Sequence, residues 1–187
     1  MSTEKNVETK VVTSKVRFSY VHVWEPTAMN EGQDKSYSVS LIIPKSDKAL
    51  IAKINAAVEA AIENGKSKWG GKVPTKNFKR PLRDGDLDRP EDDAYANSYF
   101  LTAKCSTKPG VVDRYKKEIT KQEEFYSGCY GLASVNFFAY ATKGNNGIGC
   151  GLNNLMKIED GDALGGRVSA SIDFAEVEVS EEEDDLL

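Results

Sequence analysis

The chain has 187 residues, of which 40% are hydrophobic and 29% are charged, and its formal net charge is −4. This length and composition indicate one folded domain with a packed core and exclude a wholly disordered chain. No apolar run approaches the roughly 20 residues that cross a bilayer, and residues 1–15 lack the apolar segment of a secretory signal, so we expect a cytoplasmic protein without membrane contact.

The first predicted elements are two strands. Apolar and polar residues alternate over residues 11–24, up to Pro26, and again over residues 36–43, which Pro44 ends. A period of two is typical of strands that are buried on one face. The residues expected on the apolar face of the first strand are Val12, Val16, Phe18 and Tyr20.

A helix is predicted from about Lys48 to Asn64. Ser46 or Asp47 can cap its first turn, and Gly65 offers a stop at its end. Because no other segment has a strong helical period, we expect this helix to lie on one side of a sheet. Its apolar residues, which recur at steps of three and four, are Leu50, Ile54, Val58, Ala61 and Ile62.

The remainder of the chain predicts further strands and one long loop. Residues 66–97 show no hydrophobic period, so we expect a loop or insertion there. Strand patterns return over residues 98–106, 128–142, 147–158 and 167–179, with glycine and asparagine turns between several of them. About six strands and one main helix predict a mostly-β fold, a small twisted barrel with long loops.

Charge is segregated along the sequence. Residues 66–83 carry seven basic residues and no acid, whereas residues 84–93 carry six acids and Arg89 alone. Five further acids lie in the last eight residues, and without them residues 1–179 have a net charge of +1. We therefore divide the chain into a domain over residues 1–179, with a charged insertion at about 66–97, and a disordered acidic tail over residues 180–187.

The acidic tail has two interpretations. It either only keeps the protein soluble, or it is an interaction tail that competes with phosphate for the protein's own basic groove. We favour the second interpretation, because the two leucines at its end add an apolar contact that a solubilising tail does not need.

The rarer residues exclude several kinds of site. The chain has one histidine, His22, and three cysteines without metal-ligand spacing, so we expect neither a zinc site nor a disulfide framework. Glycines at 147, 149 and 151 do not fit a nucleotide-binding loop, but they leave bare backbone on one face of a strand. A flat ligand can approach there, or the space is filled only by a neighbouring aromatic side chain of the same protein. We expect no cofactor and no metal.

Aromatic residues are interleaved with cations in two segments, residues 66–83 and 104–121. Proteins hold single-stranded nucleic acids with cations that follow the phosphates and with aromatic faces on which bases stack. Alternatively, the basic segment is solvated and pairs with residues 84–93 of its own chain. The residues predicted to contact nucleic acid are Arg17, Tyr20, Trp24, Tyr37, Lys66, Lys68, Trp69, Lys72, Lys76, Phe78, Lys79, Arg80, Arg83, Lys104, Arg114, Tyr115, Lys116, Lys117, Tyr130 and Tyr140.

Several longer strings resemble one known family, the bacteriophage single-stranded-DNA-binding proteins. The strings are Arg17 to Pro26, Lys35 to Asp47, Tyr130 to Tyr140, Gly144 to Leu155 and Asp160 to Gly166, and the resemblance covers about residues 11–176. It implies an OB-fold-like barrel of five to six strands that binds single-stranded DNA, without strong sequence preference, in phage DNA replication and recombination. It also implies that the acidic tail contacts replication or recombination proteins. The tail residues expected to do so are Glu181, Glu182, Glu183, Asp184, Asp185, Leu186 and Leu187.

We therefore predict a non-catalytic binder of single-stranded DNA in the cytoplasm of a bacterial host. Three alternatives stay open: an RNA-binding module, a metal-dependent nuclease, and a phage scaffold protein whose basic segment only meets its acidic neighbours. The sequence also leaves open whether the chain forms a homodimer. The carboxylates that a nuclease could use are Asp84, Asp86, Asp88, Glu91 and Asp92. Their spacing does not complete a calcium loop, because Arg89 and Tyr95 stand where glycine and glutamate are needed.

Overall fold

Nine strands join one hydrogen-bonded sheet in the part of the chain that the structure, a computed structural model, describes: residues 8–28, 32, 34–142, 144–164 and 177. The strands are β1 (Lys10–Val12), β2 (Val16–Thr27), β3 (Ser36–Pro44), β4 (Phe78–Lys79), β5 (Arg83–Asp84), β6 (Ser98–Cys105), β7 (Gly110–Val112), β8 (Tyr130–Thr142) and β9 (Asn145–Glu159). Two α-helices occur within the same residues, α1 (Lys48–Gly65) after β3 and α2 (Gly85–Asp88) after β5.

The five long strands close into a ring. β8 pairs with β2, β2 with β3, β3 with β6, β6 with β9, and β9 again with β8. Each pair is antiparallel except β6–β9, in which Lys104 lies opposite Gly151. Because β8 occupies one edge of β9, the other edge is shared in turn by β4, β6 and β7.

Side chains that point into the ring form the core. Phe18, Leu41, Leu101, Val135 and Leu155, one from each long strand, are all 1% exposed or less. The apolar stripe of α1 packs against this core, and every residue that the sequence placed on the stripe is buried. The side chain of Asp47 caps the helix by accepting a hydrogen bond from the backbone nitrogen of Leu50.

Gly65 is the last residue of α1 and lies at the contact between this helix and β8. A Cβ added at Gly65 would lie 2.1 Å from the Cβ of Ala139, so the helix can approach β8 only where the side chain is missing. The chain continues into a 3₁₀ turn over Lys66–Trp69, and the left-handed residue that ends this turn is Gly70, with a φ of 71°. The predicted end of the helix at Gly65 is therefore confirmed, whereas the 3₁₀ turn that follows it was not predicted.

The predicted fold class is confirmed: a mostly-β chain whose five long strands close into a ring, with one main helix. The predicted strands over 36–43, 98–106, 128–142 and 147–158 correspond to β3, β6, β8 and β9. The sequence missed β4, β5 and β7, because strands of two or three residues are too short to show a period.

The prediction of one continuous first strand is wrong, because the structure has two strands there. Two of the four residues expected on its apolar face are exposed. The chain bends at Ser14 and Lys15, which separates β1 from β2, and β2 continues through Pro26 to Thr27. A shift of pairing after Ser19 and a positive φ at Tyr20 turn the tyrosine outward, so that it is 52% exposed. Val12, on the separate β1, is also exposed.

The predicted loop over residues 66–97 carries more local structure than its composition suggested. Within it lie β4, β5, α2 and a 3₁₀ turn at Asp93–Tyr95. The predicted strand over 167–179, except for residue 177, and the acidic tail over 180–187 lie outside the described residues. Among the residues described, none of the helices combines the length and apolar character needed to cross a membrane.

Candidate nucleic-acid interface

The strand registers align four outward-facing residues in one row across the ring. Ser38 on β3 lies opposite Lys104 on β6, Lys104 lies opposite Gly151 on β9, and Gly151 lies opposite Asn136 on β8. Most residues that alternate with them along these strands are buried, so the row faces outward. The buried ones are Val39, Ala103, Val135, Phe137, Cys150 and Leu152. At a strand spacing of about 4.8 Å, this outer row spans roughly 14 Å. OB folds bind oligonucleotides on this kind of face.

Phe138 lies next to the outer row and forms a flat apolar platform. It pairs with Gly149, and its ring rests on the glycine backbone, because a Cβ added at Gly149 would lie 2.6 Å from the ring's Cζ. The ring also borders Gly151, and the residue is 46% exposed. The bare backbone that the glycine spacing predicted is therefore covered on one side by an aromatic ring.

Phe138 was missed as a candidate in the sequence. It sits in the alternation of β8 like any outward residue, and only its pairing with β9 places it over glycines. Glycines two residues apart, together with an aromatic on the preceding strand of a hairpin, are the sequence signal that could have identified it.

Cations follow the edge of β9 beside this platform. β4 pairs with Asn146–Gly147, and Lys79 at its end is exposed, as is Lys104 on β6. Among the described residues, Lys66 pairs with Glu63 and Arg80 with Glu59. No salt bridge to a described residue involves Lys68, Lys72, Lys76, Lys79 or Lys104.

Trp69 and Phe78 anchor the basic segment to the ring. Their rings pack edge to face with centroids 5.2 Å apart, and both are partly buried against the core. The indole nitrogen of Trp69 donates a hydrogen bond to the backbone oxygen of Tyr140. The two aromatic residues thus hold residues 66–79 beside β8 and β9. The lysines of this segment are therefore placed next to these two strands.

The acidic segment, residues 84–93, lies on a different part of the outer face. The guanidinium of Arg89 stacks over Tyr20, Tyr95 and Phe100 at 5.0–5.2 Å. Tyr95 is fully buried and its hydroxyl lies 3.3 Å from the hydroxyl of Ser40. The segment therefore covers the outer face of β3 and β6 around Phe100, on one side of the outer row.

Three of the five carboxylates available to the nuclease alternative, Asp84, Asp86 and Asp88, are engaged by cations. Lys45 Nζ lies 2.9 Å from Asp84 and 2.8 Å from Asp86, and Arg83 binds Asp88 at 2.9 Å. Hydrogen bonds from Lys45 lower the pKa of both Asp84 and Asp86, and the bonds to Asp86 and Asp84 raise the pKa of Lys45. The Lys45 ammonium group thus occupies the position between Asp84 and Asp86 that a metal ion would need. The described residues contain no group of three metal-ligating side chains.

A hairpin formed by β7 and residues 117–119 carries the second basic segment. Val111 and Ile119 are buried at its base, while its tip, Asp113–Lys117, projects into solvent. The Asp113 carboxylate accepts hydrogen bonds from the backbone nitrogens of Tyr115 and Lys117 at 2.8 and 3.0 Å. Tyr115 is 75% exposed, and the guanidinium of Arg114 lies 6.0 Å from its ring.

The other predicted residues are dispersed. Arg17 donates hydrogen bonds to the backbone oxygens of Gly128 and Asp162 and stacks on Tyr130 at 5.3 Å. Tyr130 is eight residues from Phe138 along β8, or about 26 Å. Trp24 is half-buried under Lys108, far along β2. Tyr37 lies at the start of β3, opposite Cys105 and beside the outer row.

Known proteins resemble this chain over most of its length. Residues 9–187 match a family described as the single-stranded-DNA-binding protein of Enterobacter phage Enc34. "Putative protein p50" of Acyrthosiphon pisum secondary endosymbiont phage 1 is 34% identical over 185 residues, covering 94% of this chain and 97% of that protein. The single-stranded-DNA-binding protein from bacteriophage Enc34, solved in complex with ssDNA, matches with a TM-score of 0.75 and 25% identity over 84% of this chain and 90% of that one.

A more distant structure shares the fold. gp2.5, a single-stranded-DNA-binding protein encoded by bacteriophage T7, matches with a TM-score of 0.58 and 16% identity, over 86% of this chain and 97% of that one.

Proposed function

The chain belongs to the family of the Enterobacter phage Enc34 single-stranded-DNA-binding protein, and from this membership we propose that it binds single-stranded DNA during phage DNA replication. It is a binding protein and not an enzyme, since the family is not catalytic. The Lys45 ion pairs that occupy Asp84 and Asp86 agree with this assignment.

The observation that carries the proposal for the site is the exposed ring of Phe138 on bare backbone. A base can stack on the free face of the ring, and stacking is worth about 1–3 kcal/mol per base while tolerating any sequence. Lys104 lies across Gly151 from the same face, and Lys79 lies beside Gly147. These lysines would bind phosphates of a strand that lies on the outer row.

The proposal also covers the proteins that the chain binds and the cell compartment in which it acts. We expect the acidic tail, residues 180–187, to recruit replication or recombination proteins and to compete with DNA for the cations. The phage context supports action in the cytoplasm of the bacterial host. Whether two copies of the chain pair as a homodimer is a separate question, which the molar mass in solution answers.

The test is binding of a fluorescent oligo-dT by the full chain, followed by anisotropy. Phe138→Ala should weaken binding about 5- to 150-fold, the equivalent of one lost stacked base. If four cations bind phosphates, log K should fall against log salt with a slope of about −2.8. Leu87→Ala, which truncates a 77% exposed residue on α2, is the matched control and should bind like the unaltered protein.

Two results would contradict the proposed site. If Phe138→Ala binds DNA with the same affinity as the unaltered protein, no base stacks on Phe138. If the affinity does not change with salt concentration, the lysines do not bind phosphates. The RNA-binding alternative is tested by competition with unlabelled DNA and RNA of matched sequence. It is favoured if the RNA displaces the fluorescent DNA at a lower concentration than the unlabelled DNA does.

A further inference from the structure

The tip of the β7 hairpin, Asp113–Lys117, is held in one conformation by its own backbone. The Asp113 carboxylate binds two backbone nitrogens ahead of it, and the Asp113 nitrogen donates to the Lys117 oxygen at 2.8 Å. Lys116 has a φ of 67°, which this closed turn requires. The tip is therefore set before any ligand arrives, and binding there orders little additional chain.

The fold makes no use of the side chains that this tip presents. Tyr115 is 75% exposed and packs on no core residue, although its flanking strands bury Val111 and Ile119. Within the described residues, Arg114, Lys116 and Lys117 form no salt bridge. One exposed ring among three cations is the combination that single-stranded nucleic acids bind.

The tip is separate from the Phe138 platform. Phe138 lies opposite Gly149 on β9, whereas the hairpin base pairs with β9 at Asn154–Met156. From Gly149 to Met156 is seven residues, or about 23 Å of strand. At the rise of about 3.4 Å per nucleotide of a stacked strand, roughly seven nucleotides cover this distance, and an extended strand needs fewer.

We infer that the hairpin tip is a second anchor that holds the same DNA strand as the platform, with Tyr115 stacking a base and the three cations binding flanking phosphates. The inference rests on the proposed function. Its consequence is a dependence on length: a short oligonucleotide occupies the platform alone, and only a strand that reaches the tip gains the second anchor.

The experiment measures the affinity of the full chain for oligo-dT of about 4 and about 16 nucleotides, the limits of known site sizes for OB folds. Tyr115→Ala should weaken binding of the long oligonucleotide about 5- to 150-fold and leave the short one within about twofold. Tyr115→Phe keeps the ring and should bind both lengths like the unaltered protein. Phe138→Ala should weaken binding at both lengths.

Three outcomes overturn the inference. These are an unchanged affinity of Tyr115→Ala for the long strand, an equal loss at both lengths, and a loss in Tyr115→Phe as large as in Tyr115→Ala. Failure of the inference is distinguishable from failure of the proposed function, because the latter appears as weak binding of DNA by the unaltered protein or as no effect of Phe138→Ala.

Discussion

Tyr126 joins the ring to the segment that follows β9. Its hydroxyl donates a hydrogen bond to Asp160 at 2.8 Å and accepts one from the backbone nitrogen of Gly161 at 3.2 Å. Lys157 reaches the same carboxylate at 2.6 Å and, with Tyr126, lowers the pKa of Asp160. Burial, together with the neighbouring Asp160 carboxylate, raises the pKa of Tyr126 to about 12.

This raised pKa predicts a loss of stability at high pH. The neutral phenol is favoured in the folded state, so its contribution is fully present below the unfolded pKa of about 10 and is lost as pH rises through about 12. Tyr126→Phe has no proton to lose. Its free energy of unfolding, measured with urea at pH 9 and pH 11, should therefore fall less over this interval than that of the unaltered protein. An equal or steeper fall in the variant would contradict the assignment.

At the scale of elements, the contact between α1 and β8 depends on the pair Gly65 and Ala139. The helix lies so close to the strand that a Cβ at position 65 would overlap the Ala139 Cβ. Neither neighbour has a flexible side chain that can move away. The contact therefore fixes where the basic segment leaves the helix and reaches the edge of β9.

Gly65→Ala should lower the free energy of unfolding by about 1–3 kcal/mol, because it overpacks this contact. Ala139→Gly in the same chain vacates the overlapping volume, so the double variant should be more stable than the sum of the two single changes predicts. Urea unfolding of the four proteins measures the coupling. Strict additivity of the two changes would show that the helix relaxes away from β8 at no cost.

Local signals explain why α1 could be predicted and its neighbours could not. The cap at Asp47 and the buried stripe of α1 are properties of adjacent residues, so the sequence alone indicates them. The exposure of Phe138 depends on the register of β8 against β9, and the packing of Trp69 on Phe78 depends on where β4 pairs. Such placements arise from partners far away in the chain, and the DNA contacts of the predicted residues stay predictions.

At the scale of the whole molecule, charge of opposite sign flanks the outer row. The acidic segment covers β3 and β6 around Phe100, while the basic segment leads to Lys79 beside β9. The ring places the two segments on different sides of one face, although they adjoin in sequence. We therefore expect a phosphate backbone to be attracted toward the β8–β9 side and repelled from the other.

Deleting residues 180–187 should tighten the binding of single-stranded DNA. The deletion removes five acids and changes the net charge from −4 to +1, so fewer carboxylates compete with phosphates for the lysines. The gain should be larger in dilute salt than at about 0.15 M, where exposed charges are screened over about 8 Å. Anisotropy titrations at the two salt concentrations measure it, and unchanged or weaker binding of the shortened chain argues against competition by the tail.

Closure of the ring also governs how the chain can reach this state. The pairing of β2 with β8 brings Val16 next to Gly131, more than a hundred residues away in the sequence. Forming it costs conformational entropy, because the chain between the two residues is closed into a large loop. Sheets dominated by such distant pairings acquire their structure in milliseconds to seconds, far more slowly than bundles of helices. We therefore expect the unpaired strand edges of a newly synthesised chain to stay accessible to other chains for longer than its modest size would suggest.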